Sequence, residues 1–328
     1  MTVAVPTLGA GDALADCLRS LESQTLTDFE VFVVDNSGSG RPPVSGARAR
    51  VICNSANVGF GAAVNQVFRS SKARYLATLN DDAVADPGWL QSLVNCADTN
   101  PRAGMFASHV RLNPSTLDSA GMEIAADGSS KQRGHGEPPN RFDKSADVLF
   151  PSGSASMYRR EMLEQIGLFD ESFFLYCEDT DLGLRARWAG WDCVYVPSAI
   201  VEHRYSHSAG AASLTKAYYV ERNRLCTVVK NFPPRLLLLV PFASLLRYFW
   251  HVVSLFEGRG KAAEFQRGGK SAAWLPLLVL RAYGAVVLRL PRLLAERKRI
   301  KTSRRISAVE FRRQLARHSI SLRRVAAL

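Results

Sequence analysis

Six side chains in this sequence are of the kinds that handle metal ions and protons, and they fall into two clusters. Asp81 and Asp82 stand side by side in "LNDDAVADPGW", directly after the apolar run Tyr75 to Leu79. Adjacent anions repel, so the placement gains little unless something positive faces them. Glu178, Asp179 and Asp181 follow a second apolar run, Phe173 to Cys177, and His203 comes just after "AIVE". Carboxylates supply the oxygen ligands that hard divalent cations require, and imidazole suits divalent metals. A carboxylate crowded by others has a raised pKa, which suits a general base. Carboxylates also cap helices, so either cluster alone fits that plainer reading equally well.

The elements around these residues are legible from period and punctuation. Residues 2–6 read as a buried strand, 13–24 as a helix, 30–34 and 50–53 as strands. "NVGFGAAVNQVFRSS" is a glycine turn opening a helix, 75–79 is a fourth strand, and Pro87 suits a helix start. "TDLGLRARWAG" reads as a helix with Arg185 and Arg187 near its C-terminal end, and Cys193 to Val196 as a strand. This alternation predicts an α/β fold with a largely parallel sheet. Ligands of such sheets bind beyond the carboxyl ends of the strands. Thr7, the pair Asp35-Asn36, and Asn80-Asp81-Asp82 all fall there, and three polar clusters on one rim favour a binding site. Residues 127–147, rich in Gly, Pro and charge, read as a surface loop or mobile lid, with His135 solvated.

With 47% hydrophobic residues, the chain can bury a substantial core and does not resemble a disordered one. Its six cysteines are scattered without a CxxC pair, which argues against a zinc site or disulfide framework and fits a reducing cytosol. The chain reads as starting almost directly on a strand, as expected without a signal peptide. The net charge of +12 is uneven: residues 222–328 hold 23 Lys and Arg against 4 Asp and Glu, and the rest is net acidic. That predicts a catalytic unit over 1–230 and a basic helical region over 231–328. Residues 236–256 and 274–290 are very apolar but broken by Arg247, Arg281 and Arg289. Arginine is costly at a bilayer centre. Helices lying on an anionic membrane surface, with arginines reaching headgroups, explain the pattern better than spanning ones. Arg281, Arg292 and Arg299 would then share one face if the helix survives Pro291. The plainer expectation is a soluble helical subdomain or an interface with a second copy of the chain. Residues 297–328 read as a partly disordered basic end.

Taken in order, "VAVPT", "VFVVDNSGSG", "NVGFGAAVN", "LNDDA", "GLFDESFFLYCEDTDLGLRARWAGW", "VEH" and "YYVERNRL" resemble a family 2 glycosyltransferase of the rhamnosyltransferase-like branch. The resemblance covers roughly residues 2–230. It implies the GT-A fold: a Rossmann-like, mostly parallel twisted sheet flanked by helices, here with a basic, apolar helical extension. It implies transfer of a sugar, rhamnose by branch, from a TDP- or UDP-linked donor to a hydroxyl of a lipid-linked or cell-surface saccharide. On that resemblance Asp82 and His203 hold Mg2+ or Mn2+, and Asp81 lies near the ribose or the metal. Asp179, within the Glu178-Asp179 pair, is the base of an inverting displacement. Thr7, Asp35, Asn57, Gly59 and Asn65 line the nucleotide site, where Gly59 and Gly61 let backbone approach the ligand. Gly153 and Ser154 form the acceptor-side loop, and Arg222 and Arg224 meet phosphate. The chain departs from the family at Leu8, where an aromatic residue often stacks on the base, and Asn80 is not a charged ligand. The implied location is the cytoplasmic face of the cell membrane.

Two other functions share parts of this pattern. A non-catalytic membrane or nucleic-acid binding module on a degenerate transferase fold would use the basic region, but no recognition motif interleaves its basic residues, so no nucleic acid is expected. A sugar nucleotidyltransferase would need a glycine-rich triphosphate loop after the first strand, which "PTLGAGDA" echoes only faintly.

Overall fold

A computed structural model describes residues 1–9, 11–40, 49–204, 214–260 and 274–328. Four strands form a parallel half-sheet: β1 (Thr2–Thr7), β2 (Glu30–Asp35), β3 (Arg50–Cys53) and β4 (Tyr75–Leu79), in the order β3-β2-β1-β4. β1, β2 and β4 are almost continuous apolar runs, as expected of strands covered on both faces, while the edge strand β3 is partly exposed. The first three helices are α1 (Asp12–Glu22), α2 (Phe60–Ser70), which packs on β1 and β2, and α3 (Trp89–Thr99). β1 pairs with β2 on one side, Thr7 opposite Asp35, and with β4 on the other. The strand order therefore reverses at β1, the point beside which ligands of such sheets bind.

Beyond β4 the sheet changes direction. β5 (Ala83–Ala85), β6 (Ala103–Asn113), β7 (Thr116–Ser119), β10 (Ala146–Asp147), β11 (Ala155–Arg159) and β12 (Asp192–His203) complete it. β11 is antiparallel to both β4 and β6, while β12 runs parallel to β6. β8 (Met122–Ile124) and β9 (Ser130–Gln132) make a separate hairpin. Residues 127–147, expected as a mobile lid, thus hold β9 and β10, and Asp127 is fully buried. Two short helices bring the chain to its second carboxylate cluster, α4 (Arg160–Ile166) and α5 (Glu178–Trp188).

The C-terminal third differs most from expectation. α6 (Leu214–Asn231) crosses the anticipated boundary at residue 230, and every side chain from Glu221 to Val228 is buried. After it come α7 (Pro234–Leu237), α8 (Val240–Phe256), α9 (Leu275–Ser303), α10 (Ala308–Arg317) and α11 (Leu322–Ala327). α9 continues through Pro291. The end expected to be partly disordered is folded into the main core. Phe311 is fully buried and stacks on Trp188, with ring centroids 3.9 Å apart and planes 7° apart. Ser319 bridges to Ile124, and His318 Nε2 lies 3.0 Å from Asp147. Nor do the arginines act as expected. Arg247 is buried, its guanidinium on Asp127 Oδ2 at 2.5 Å and Glu221 Oε2 at 2.7 Å. Arg281 lies over the Tyr218 ring, and Arg292 reaches Asp170. Arg247 turns inward because the buried carboxylates of Asp127 and Glu221 must be neutralised. Replacing Phe311 with Ala should cost about 3–5 kcal/mol, the usual range for a buried aromatic. A denaturant-midpoint measurement checks this; a loss within experimental error would mean that the last helices are peripheral to the core.

Candidate active site

Strand pairing brings the two carboxylate clusters together. Asp82 ends the turn after β4, and β5 follows at once and pairs antiparallel with the end of β12, so that His203 faces Ala83. His203 Nε2 therefore lies 3.1 Å from Asp82 Oδ1 and 3.3 Å from Asn80 Nδ2. On the next turn of the rim the Thr7 hydroxyl donates to Asp81 Oδ2 at 2.6 Å. The other cluster joins through the loop before β11. Asn80 N–H donates to Ser154 O at 2.8 Å, and Gly153 N–H donates to Asp179 Oδ2 at 3.1 Å. Residues 153 and 154 thus tie the rim of the parallel half-sheet to the first turn of α5.

The electrostatics separate these groups by role. Burial, reinforced by Asp179, pushes the Glu178 carboxyl up to about 8, and its Oε2 is buried without a hydrogen-bond partner. Burial likewise raises Asp179, against hydrogen bonds from Gly153 and Thr180. No cation pairs with either among the described residues. Asp181, two positions on, is the reverse: burial would raise it, but Lys230 and Arg185 hold it below the usual range. Burial and the Asp82 charge raise Asp81. His203 is pushed up to about 9: burial opposes the imidazolium, but Asp118 and Asp82 outweigh it.

Asp118, on β7, was not apparent from the sequence. Its Oδ2 lies 3.2 Å from His203 Nδ1, and its Oδ1 lies 3.1 Å from His135 Nδ1. His135, expected to be solvated, is therefore the outer end of an Asp82–His203–Asp118–His135 chain. A carboxylate on the far nitrogen is how proteins orient a metal-binding histidine. No run or motif announces "TLDS"; only the β6–β7 pairing brings it here.

These residues fit a divalent cation. Two neighbouring ligands of an octahedral ion, each about 2.1 Å away, stand about 3 Å apart, as Asp82 and His203 do. No group of three or more His, Cys, Asp or Glu suited to a metal occurs among the described residues. A cation here would thus complete its shell with other oxygens, such as those of a phosphorylated ligand. A proton and a metal are alternative occupants of His203 Nε2.

The remaining expected positions divide. Asp35 is fully buried at the end of β2; its Oδ1 accepts from Ser37 N–H, and its Oδ2 has no partner. Asn57 accepts from Gly59 N–H at 2.9 Å, closing the turn before α2. Gly59 has φ +86°, and a Cβ there would stand 2.2 Å from Phe174 O. The close approach it permits is thus to the loop before α5, and Gly61 likewise abuts Phe169. Asn65 is buried with both ends of its amide engaged, by Phe169 N–H and O and by Glu171. It anchors that loop rather than facing a ligand.

Arg222 and Arg224, expected to meet phosphate, also serve the scaffold. Arg224 is buried on Glu221 and Asp127, and Arg222 donates to Ser172 O and Phe173 O. Asn223 Nδ2 lies 2.7–2.9 Å from the carbonyl oxygens of Phe173, Leu175 and Tyr176. The loop so held is strained: Phe174, Tyr176 and Cys177 have φ of 67°, 68° and 66°. Such residues cost about 1–3 kcal/mol each and persist where surrounding structure over-determines them. This loop leads directly into α5, whose first turn carries Glu178 and Asp179.

The family model described as Glycosyl transferase family 2 matches residues 2–167. The N-acetylglucosaminyl-diphospho-decaprenol L-rhamnosyltransferase of Mycobacterium tuberculosis is 31% identical over 238 residues, spanning 64% of this chain and 78% of that protein. Among solved structures, GalNAc-T7 with UDP, GalNAc and Mn2+ aligns at TM-score 0.56 and 14% identity, over 84% of this chain and 55% of that one. The mannosyltransferase PcManGT of Pyrobaculum calidifontis, in complex with GDP-Man and Mn2+, aligns at TM-score 0.52 and 15% identity, over 92% and 85%. The likeness to these two structures is one of fold.

The raised Glu178 carboxyl carries a prediction for stability. Its folded pKa of about 8 exceeds the ordinary 4.5. The stability it contributes is therefore whole below about pH 4.5 and lost as pH rises toward 8. Glu178→Gln removes that loss. Its melting temperature relative to the unaltered protein should thus climb between about pH 5 and pH 8; a constant difference would place Glu178 in an ordinary ionised state.

Proposed function

The chain belongs to glycosyl transferase family 2 and is a glycosyltransferase; from that premise we propose that it moves a sugar from a nucleoside diphosphate to a hydroxyl of a lipid-linked saccharide, with inversion. The mycobacterial relative's name supports rhamnose as the sugar and a lipid diphosphate saccharide as the acceptor. TDP- and UDP-linked donors are the first to test. The observation that supports the reading is the tie through Gly153 and Ser154, which links the turn carrying the Asp82–His203 pair to the first turn of α5, where Asp179 has no ion-pair partner among the described residues.

In this reading Asp35 receives an N–H of the base on its unpartnered Oδ2, and Thr7 and Asp81 hold the sugar of the nucleoside. Asp82 and His203 hold Mg2+ or Mn2+, with Asp118 fixing the imidazole. When bound, the cation supplies positive charge that stabilises the departing diphosphate. Asp179 accepts the proton of the acceptor hydroxyl as that oxygen attacks the anomeric carbon and the bond to the diphosphate breaks on the opposite face. Glu178 keeps its proton near neutral pH and so adds no negative charge beside Asp179. The gain from such a base is about 10²–10⁴-fold. Residues 1–230 supply every one of these groups, and we assign the enzyme to the cytoplasmic face of the cell membrane, where a lipid-linked acceptor is reached without crossing.

Asp179→Asn should lower kcat by about 10²–10⁴ while nucleotide-sugar binding, read as a thermal shift with Mn2+, persists. Undiminished turnover in that variant would remove Asp179 from the mechanism. Asp82→Asn should abolish the Mn2+-dependent part of the same thermal shift, and EDTA should halt turnover by the unaltered enzyme. Turnover that ignores EDTA overturns the metal assignment.

A further inference from the structure

α8 is built inside out. Its buried positions include Ser244, Arg247 and Ser254, and Arg247 also contacts His251 across one turn. Its outward positions are Phe242, Leu245, Leu246, Phe249, Val252 and Phe256, each 48–87% exposed. A helix on a water-facing surface has the opposite arrangement. Rotation cannot correct it, because Arg247 is locked to Asp127 and Glu221 and Tyr248 donates to Glu221 at 2.5 Å. Turning the apolar face inward would take one of two arginines from Asp127 and Glu221, leaving Arg224 alone to neutralise both buried carboxylates. The first half of α9 repeats the theme: Leu277, Leu280, Val287 and Leu288 are 57–85% exposed.

We propose that these outward faces of α8 and α9 lie in the headgroup region of an anionic lipid leaflet. Charge selects this occupant. The apolar stripe of α8 follows exposed Arg235 and ends at a Glu257–Arg259 pair, and the apolar half of α9 leads into exposed Lys298, Arg299 and Lys301. A self-complementary dimer through these faces would bring two strongly basic regions together, whereas anionic headgroups neutralise them. No helix among the described residues is long and apolar enough to cross a membrane, which agrees with helices lying in the plane. Both helices are anchored on α6, α8 through Glu221 and α9 through Tyr218. Val220 O, between those anchors, lies 3.9 Å from Cys177 Sγ, the residue before Glu178. The helix on which both lipid-facing helices are anchored therefore also touches the start of α5. Why the enzyme should sit there rests on the lipid-linked acceptor proposed above; the binding itself does not.

The test is flotation of the full chain with vesicles of phosphatidylcholine alone or with about one third phosphatidylglycerol, near physiological salt. The doubly substituted Phe242→Glu, Phe249→Glu chain is compared, its fold checked by circular dichroism. The unaltered chain should partition at least tenfold more strongly onto the anionic vesicles, and the variant should lose that partition. Equal partition of the two chains overturns the proposal, as does equal binding to both vesicle types. Sedimentation showing a dimer that the variant dissolves also overturns it and assigns the face to a second copy. Turnover with a short, water-soluble acceptor is measured alongside. Turnover without vesicle binding leaves the transferase reading intact and sinks this one; vesicle binding without any turnover does the reverse.

Discussion

Lys230 is the contact on which the arrangement hangs. Its ammonium is buried and meets three carboxylates from three segments: Asp170 at 2.7 Å, Asp181 at 2.9 Å and Glu296 at 2.8 Å. Asp181 belongs to the first turn of α5, so this one cation fixes the helix that carries Glu178 and Asp179. Arg185 closes the same carboxylate from within the helix and ties it to the backbone of residues 166–168. A second buried set, Arg224 and Arg247 on Asp127 and Glu221, fastens α6 and α8 to the β8–β9 hairpin. Buried charge is tolerable only when compensated. Glu178 and Asp179, which have no such partner among the described residues, stand out against that background, and their raised pKa values follow from burial.

α6 accordingly has a double duty. Its C-terminal end neutralises the base of α5, while Arg222 and Asn223 hold the strained carbonyls of residues 173–176. The segment contributes no group to the cleft chemistry proposed above, yet it decides where the base points. Catalytic groups gain from being locked by neighbours that never touch substrate.

The parallel half-sheet was legible because buried strands are apolar runs and their turns are marked by Gly, Asn and Asp. β3 and β4 fall on the residues that pattern indicates. Asp82 and Asp179 stood out as charges at the ends of such runs. What escaped has a common cause: a polar side chain looks the same in sequence whether its partner is ligand or protein. Arg222, Arg224 and Asn65 have the chemistry to hold phosphate or sugar, but buried backbone and carboxylates claim them first. Asp118 sits in a short stretch without periodicity, and only pairing of distant strands gives it meaning. The C-terminal end was misjudged because its charge density hid Phe311 and Ile320, two apolar groups spaced too widely to register as a pattern.

Gly59 has an implication for inheritance. With no side chain, it lets the backbone of α2 press directly on Phe174, so that Phe60 N–H donates to Phe174 O at 3.0 Å. Two segments more than a hundred residues apart in sequence meet there main chain to main chain, with no malleable side chain between them. Recombination between related genes that exchanged one segment alone would have to reproduce that seam to within a few tenths of an ångström. Variation is therefore more readily accommodated by changing residues on either side of the seam than by shuffling across it.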